Sequence, residues 1–239
     1  MRKALSLSVL VGSVVSATVA GAVPSMQPPV AAQPAALSRP APSANVEFRY
    51  VTNGDGNKAR YRVRERLVGK ELDNDAVGET PRVQGMISLD KQNKVLANES
   101  GFTADVSLLK SDEARRDRYV KNRILLLDSF PTTTFRATEV RGLTTLPKSG
   151  SVTFTLLGDL TVKGVTRPST WTVTATVTGD KLTGQAATRF TFKEFGLLQP
   201  KVPVLLSVVD TIGLEYDFVM QREQVAKAMP VKKSTKTKK

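Results

Sequence analysis

WTVTATVT, residues 171–178, alternates at every position between an apolar side chain and a threonine. Alternation with a period of two is the pattern of a β-strand that buries one face and exposes the other. The dipeptide Gly179-Asp180 follows, which predicts a turn, and the alternation resumes from Leu182 to Phe192. This hairpin predicts an all-β fold.

The same period continues outward from the hairpin in both directions. Further strands are predicted for residues 46–52, 58–68, 83–89, 102–108, 135–137, 152–162 and 204–218. The sequence Asn53-Gly54-Asp55-Gly56 predicts a tight turn that makes a hairpin of the first two strands. One short helix is predicted from a cap at Ser111 to about Arg123. Eight or nine antiparallel strands with a single helix favour a closed or nearly closed β-barrel over a small sandwich.

The apolar strand faces are predicted to point into the barrel. One face of an early strand carries four arginines, Arg60, Arg62, Arg64 and Arg66. Glu65 lies in the apolar row opposite, and Asp210 interrupts the apolar row of the last strand. If these rows faced lipid, both carboxylates would lie in or near hydrocarbon, at a cost of a few kcal/mol each. We therefore expect a soluble barrel with an apolar lumen and with its arginine and threonine rows in water.

The composition excludes several kinds of site. The chain of 239 residues contains no Cys and no His, which excludes disulfides, thiol or imidazole catalysis and ordinary zinc or haem sites. We therefore expect neither a metal nor a cofactor. The formal net charge is +13, but nine basic residues and no acidic ones lie outside residues 45–223. No nucleic-acid partner is expected, because a domain that binds nucleic acid concentrates its cations on a folded face.

The two ends of the chain differ in composition from the centre. Residues 1–22 combine a basic start, an apolar run and Ala20-Gly21-Ala22, the pattern of a signal peptide, with an uncleaved anchor as the alternative. Residues 23–44 form a predicted Pro/Ala-rich linker, and residues 45–223 form the predicted barrel domain. Residues 224–239 are predicted to be a disordered Lys-rich tail, either a solvated end without a specific role or a segment that makes transient contact with anionic envelope surfaces. The expected location is exported, either periplasmic or extracellular.

Four short motifs occur in a fixed order along the chain. They are Arg116-Asp117, Phe130-Pro131, the run LTVKGVTRP at residues 160–168, and Glu194-Phe195-Gly196. In this order they resemble the YceI-like family, with Glu194 where that family usually has Asp, as in a divergent branch. The resemblance implies a lipocalin-like antiparallel barrel of about eight strands with one short helix, which holds a polyisoprenoid or a similar long amphiphile in its lumen. Arg116 and Asp117 are expected to tie the helix to the barrel by a salt bridge or a hydrogen bond.

The side chains that face the predicted lumen are the candidate ligand-binding residues. The apolar and aromatic candidates are Tyr61, Val63, Phe102, Val106, Phe154, Leu156, Trp171, Val173, Phe190, Phe192, Leu206, Ile212 and Tyr216. Glu65 and Asp210 complete the set, and each is expected to pair with an arginine, to be protonated, or to lie at the mouth beside a ligand headgroup. The alternative is that all these side chains simply fill the barrel.

These observations favour binding over catalysis. We expect an exported, non-enzymatic protein that holds an isoprenoid lipid or isoprenoid quinone in its barrel. One alternative is an envelope-associated structural protein that acts through its basic tail, and another is a cofactor-free enzyme that uses Glu65 or Asp210 as a base. Homodimerisation through strand edges stays open.

Overall fold

The computed structural model describes residues 45–225, which form a single antiparallel sheet. Its strands are β1 (Phe48–Thr52), β2 (Lys58–Leu67), β3 (Asn74–Thr80), β4 (Val83–Leu89), β5 (Gly101–Asp105), β6 (Lys110–Ser111), β7 (Thr132–Arg141), β8 (Gly150–Val162), β9 (Val165–Thr178), β10 (Lys181–Phe190) and β11 (Leu205–Gln224). A helix α1 (Ala114–Tyr119) continues into a π-helical turn, Val120–Leu125. The predicted signal peptide and linker lie outside the described residues, as does the predicted tail from residue 226 onward.

The eleven strand segments build an eight-stranded closed barrel. β1 and β2 pair one after the other with the same edge of β11, so together they form one long strand. β3 and β4 follow each other in the same way along β2 and β1, and β5 and β6 along β4 and β3. With each pair counted once, eight strands run up and down in chain order, and the pairing of β11 with β1 and β2 closes the ring. The predicted closed barrel of about eight strands with one short helix is confirmed.

The hairpin predicted at Asn53-Gly54-Asp55-Gly56 is wrong. β1 and β2 do not pair with each other, and the residues between them form a bulge within one long strand. Asn57 holds this bulge against β11, because its side chain donates to the carbonyl of Val219 and accepts from the Tyr216 hydroxyl, each over 3.0 Å. Gly54 and Gly56 both have positive φ, and such glycines serve a bulge as well as a turn. The dipeptides therefore indicated a change of backbone direction without its type.

Three further elements differ from the sequence prediction. β3 was not predicted, because Asn74–Thr80 lacks a clear apolar alternation. The strand predicted over 102–108 ends at Asp105, whose side chain caps a 3₁₀ turn at Val106–Leu108. The helix begins later than predicted, since Glu113 is its cap, accepting from the amide of Arg115.

The two faces of the barrel wall have the predicted orientation. Trp171, Val173 and Val177 are buried inside, whereas hydroxyl pairs such as Ser151 with Thr176 join β8 and β9 on the outer surface. The arginine row of β2 also lies outside, where it forms ion pairs with carboxylates of both neighbouring strands. These pairs are Arg60 with Glu215 and Asp217, Arg62 with Glu215 and Asp75, and Arg64 with Asp73 and Asp75.

Three glycines leave space on the inner wall for aromatic rings of the neighbouring strand. Gly78 lies opposite Tyr61, Gly85 opposite Phe102, and Gly184 opposite Phe218. A Cβ atom built on each of them would lie less than 3 Å from the facing ring. The rings therefore lie flat against the wall, and the lumen gains width where a larger residue would close it.

The two ends of the barrel differ in their connections. One end carries the turn 68–73, α1 with the loop up to residue 131, the turn 163–164 and the loop 191–204. The other end carries the turns 90–96, 142–149 and 179–180, together with both described chain ends, where Val225 donates its amide to Glu47. We call these the loop end and the terminal end. Within residues 45–225, no helix is long and apolar enough to cross a membrane.

Candidate functional site

The half of the barrel next to the loop end, called the upper half below, contains a cavity of about 1270 Å³ that opens at the loop end. This volume exceeds the roughly 300–1,000 Å³ of ordinary small-molecule pockets. The turn 68–73, the helical segment and residues 197–205 surround the opening. Below the cavity the lumen is solid, since buried side chains fill it towards the terminal end, among them Tyr50, Phe154, Val177, Leu182 and Met220. The filled-barrel alternative thus describes the lower half of the lumen and not the upper half.

Most of the predicted ligand-binding residues line this cavity. They are Tyr61, Val63, Glu65, Phe102, Val106, Leu156, Trp171, Val173, Phe190, Phe192, Ile212 and Tyr216. These side chains come from six of the eight long strands and from the residues just beyond β5 and β10. Their contact with a ligand stays a prediction, but the structure brings them together around one apolar space.

Three predicted residues do not line the cavity. Phe154 points inward but is buried below the cavity floor. Leu206 is 60% exposed, and Asp210 is exposed on the outer side, where it accepts a hydrogen bond from the amide of Phe192 over 3.0 Å. Both belong to the irregular part of β11, whose pairing with β2 shifts register between Leu205 and Ser207 and again between Val208 and Ile212. A register shift reverses which side chains face inward, so simple alternation assigned these two positions to the wrong face.

Of the two carboxylates that the sequence singled out, only Glu65 lines the cavity, and it forms an ion pair with Arg116. Its carboxylate is 7% exposed and lies 2.9 Å from a guanidinium nitrogen of Arg116, whose side chain is 17% exposed. Arg116 also forms an ion pair with Asp112. Asp117, the next residue, accepts the amide and the hydroxyl of Ser111 in β6, over 2.8 and 2.6 Å. The expectation that Arg116 and Asp117 tie the helix to the barrel is confirmed, and Glu65 is the anchor on the barrel side.

Two of the aromatic donors around the cavity have hydrogen-bond partners within the wall. The Trp171 indole donates to the Ser169 hydroxyl over 3.1 Å, and the Tyr216 hydroxyl donates to Asn57. The Tyr61 hydroxyl is buried and has no partner among residues 45–225. Burial raises the pKa of Tyr61 from 10.0 to about 12, and burial also raises the pKa of Tyr216. The aromatic wall is therefore uncharged throughout the neutral range.

The buried tyrosines predict a loss of stability in alkaline solution. A phenol whose pKa is higher in the folded state makes its full contribution to the free energy of unfolding below its unfolded pKa near 10. It loses that contribution as the pH rises towards its folded pKa. We expect the free energy of unfolding to fall between about pH 10 and about pH 12, and Tyr61→Phe to lessen that fall. Urea unfolding followed by circular dichroism across this range measures both. An equal fall in the variant would contradict the assignment to Tyr61.

Several cavity residues were not predicted as part of the site. The helical segment covers one side of the opening with Tyr119, Val120, Ile124 and Leu125. Their spacing fits one face of a helix, so the sequence did hold a signal for them. The other unpredicted residues at the opening, Val68, Leu72, Val202, Val204 and Leu205, lie in or beside the turn 68–73 and the loop 191–204.

Comparison with known proteins gives one family match and several similar folds. The model of the YceI-like domain matches residues 50–220. No curated protein matches the chain by sequence. The polyisoprenoid binding domain from Saccharophagus degradans is similar at a TM-score of 0.53 and 6% identity, covering 74% of this chain and 99% of that chain.

Two further solved structures have a similar barrel. BcnA of Burkholderia cenocepacia has a TM-score of 0.50 and 14% identity, with 67% of this chain and 95% of that chain covered. The YceI protein of Campylobacter jejuni has a TM-score of 0.50 and 13% identity, with 67% and 91% covered. At such identities these structures establish the shared fold.

Proposed function

We propose, on the premise that the chain belongs to the YceI-like domain family, that it is a non-enzymatic binding protein for a long apolar amphiphile of the polyisoprenoid or isoprenoid-quinone type. The open, apolar upper lumen is the observation that carries this proposal. The polyisoprenoid-binding description of the Saccharophagus degradans domain supports the ligand class. We also propose that the protein acts after export, in the periplasm or outside the cell, because of the signal-peptide pattern at residues 1–22.

The lining chemistry supports a chain of hydrocarbon as the ligand. Each CH₂ group that leaves water for such a lumen contributes about 0.8 kcal/mol. An unpaired polar group of the ligand placed on the same wall would cost more than one such group gains. A flexible polyisoprenoid tail supplies many apolar groups and fits a cavity that is deep and open at one end.

The positions of the two candidate carboxylates favour binding over catalysis. Glu65 is held by Arg116, and Asp210 lies on the outer side, bonded to the amide of Phe192. A general base has to reach a proton of a bound substrate, and Asp210 has no access to the cavity. Glu65 thus serves to anchor the helix beside the opening.

Mass spectrometry of co-purified lipid tests the proposal directly. The protein is purified under mild conditions from a host that makes isoprenoids, and an organic extract is analysed. We expect a long-chain isoprenoid or quinone in a stoichiometric amount. If the extract contains none, and refolded protein also fails to bind such lipids, the binding proposal is wrong.

A tryptophan inserted into the lumen is expected to abolish lipid binding. Val173 is almost fully buried and lines the cavity, whereas Thr174 is the next residue of β9 and points outward. We expect Val173→Trp to lower co-purified lipid by about tenfold or more, because the indole occupies the volume of several CH₂ groups of the ligand. Thr174→Trp, the matched control, should retain the lipid. Equal lipid content in the two folded variants would argue against a ligand in this cavity.

Glu65→Gln separates binding from catalysis. The amide keeps a hydrogen bond to Arg116 but loses the charge, so we expect lower stability of the helix attachment and retained lipid. The lipid content of the extract and the urea midpoint are the two measurements. If the variant instead holds a lipid that the wild type converts into a different product, Glu65 is catalytic.

A further inference from the structure

The exposed large apolar side chains of residues 45–225 gather, with one exception, at one end of the barrel. They are Val68, Leu72, Leu108, Leu126, Leu198, Val204, Leu206 and Val209. All except Leu108, which lies in the 3₁₀ turn between β5 and β6, belong to the connections and strand ends of the loop end, where the cavity opens. Single exposed apolar residues are common on any protein, but a set gathered around one opening marks an interaction surface.

Three of these residues form the lip of the cavity itself. Val68, Leu72 and Val204 are 57%, 81% and 61% exposed, and all three line the opening. They belong to two adjoining segments, since the amide of Val68 donates to the carbonyl of Val204 over 3.0 Å. We call these three residues the rim. Their exposure leaves apolar surface in water at the place where an apolar ligand must enter.

Charged groups around the rim favour an anionic partner. Lys70, Arg115 and Lys201 are exposed beside the opening and form no salt bridge within the described chain. The nearby acidic groups have structural roles: Asp73 pairs with Arg64, Asp112 pairs with Arg116, and Glu113 caps the helix. Over all connections of the loop end, residues 68–73, 112–131, 163–164 and 191–204, nine basic side chains stand against seven acidic ones, so positive charge is in slight excess.

We propose that the rim docks on the surface of an anionic lipid bilayer, so that the ligand passes between bilayer and lumen without crossing water. This proposal rests on the proposed binding function and adds the partner. Apolar side chains flanked by Lys and Arg are the combination that inserts into the headgroup region of anionic membranes. A bilayer fits better than a folded protein, because the rim borders the opening through which an apolar ligand must pass, and a bilayer takes up such a ligand whereas a folded protein would block its path.

A fluorescent probe at two positions tests the docking on the full chain. The sequence contains no Cys, so Leu72→Cys and Lys91→Cys each accept one environment-sensitive label. Lys91 is exposed in the turn 90–96 at the terminal end. Vesicles of phosphatidylcholine with phosphatidylglycerol should shift the emission of the label at 72 to shorter wavelength and leave the label at 91 unchanged.

The other outcomes would overturn the proposal. Vesicle binding without a shift at 72 would mean that the Lys-rich residues beyond 225 bind the vesicles alone, and such binding should vanish in high salt. A shift at 72 that grows with protein concentration in the absence of vesicles would mean that a second copy of the chain covers the rim. Failure to bind the vesicles at all would also refute docking.

A pair of double variants measures the contribution of the rim. We expect the double variant Leu72→Ser with Val204→Ser to partition into the mixed vesicles about tenfold less or weaker still, since each of its two substitutions removes apolar area that inserts into the bilayer. Leu206→Ser with Val209→Ser removes two similarly exposed aliphatic side chains of β11 that do not line the opening. This control should change the partition by about twofold or less. Equal losses in the two pairs would contradict a specific role of the rim.

The docking and binding proposals fail separately. Lipid content is measured on the same preparations by organic extraction. Retained lipid without vesicle docking would refute the docking alone, and vesicle docking by a chain that never contains lipid would refute the proposed function.

Discussion

Trp171→Ala is expected to destabilise the protein by about 3–5 kcal/mol. The indole is 8% exposed and packs against Phe135 with ring centroids 5.5 Å apart. It lies in β9 and lines the cavity, and its indole nitrogen donates to the Ser169 hydroxyl. Its removal loses the transfer free energy of a large ring and leaves a wider void beside a space that is already open. Since it is the only Trp of the chain, unfolding in urea is followed by circular dichroism.

Trp171→Phe is the matched control for this prediction. Phenylalanine keeps an aromatic ring against Phe135 and loses the donor to Ser169 and part of the buried ring volume, so we expect a cost of about 1–2 kcal/mol. A loss below about 1 kcal/mol in Trp171→Ala would show that the ring does not support the barrel wall.

Gly184→Ala is expected to cost about 3 kcal/mol or more, although it adds a single methyl group. A Cβ atom at Gly184 would lie 2.1 Å from the carbonyl oxygen of Thr174, 2.7 Å from the ring of Phe218 and 2.8 Å from the Cα of Ala175. Two of these three neighbours are backbone atoms of β9, so no change of a side-chain rotamer relieves the overlap. Strand β10 would have to move away from β9, which weakens the hydrogen bonds between them.

Gly213→Ala tests whether the effect depends on this close approach. Gly213 also lies in a strand, opposite Arg189 of β10, but its nearest neighbour would be 3.7 Å from an added Cβ. We expect this variant to have wild-type stability within about 1 kcal/mol, since alanine also restricts the unfolded chain. Thermal unfolding of both variants provides the comparison, and similar midpoints would mean that the wall tolerates a methyl group at Gly184.

The fold was predictable wherever one strand face is buried along its whole length. Residues 171–178 show this best, because inner positions are apolar and outer positions are threonines that pair with hydroxyls of β8. β3 was not predicted because its inner face has Gly78 in place of a large apolar side chain. The missing side chain leaves the space that the ring of Tyr61 occupies. A glycine that serves a neighbouring strand carries no apolar signal of its own.

The residues of the candidate site were predictable for the same reason. The prediction failed where strand β11 is irregular. Val173 and Ile212 lie in regular pairing and face the cavity, whereas Leu206 and Asp210 lie where β11 shifts register against β2. No local pattern in the sequence announces such a shift, because it arises from the fit between two strands distant in the chain. The pairing of Glu65 with Arg116 was among the expected alternatives, but the choice among them depends on where the helix packs.

The seam between β11 and the long strand made of β1 and β2 also determines when the barrel can form. This long strand comes first in the chain and β11 comes last, with Phe48 opposite Gln224 and Lys58 opposite Asp217. Every other neighbouring pair in the ring is close in sequence, so a growing chain can assemble a curved sheet early but cannot close it. Contacts between distant segments slow folding, and an unclosed sheet presents two unpaired edges to other chains. We therefore expect closure to be the slow, final step of folding, and a chain shortened before Leu205, which lacks all of β11, to aggregate as an open sheet.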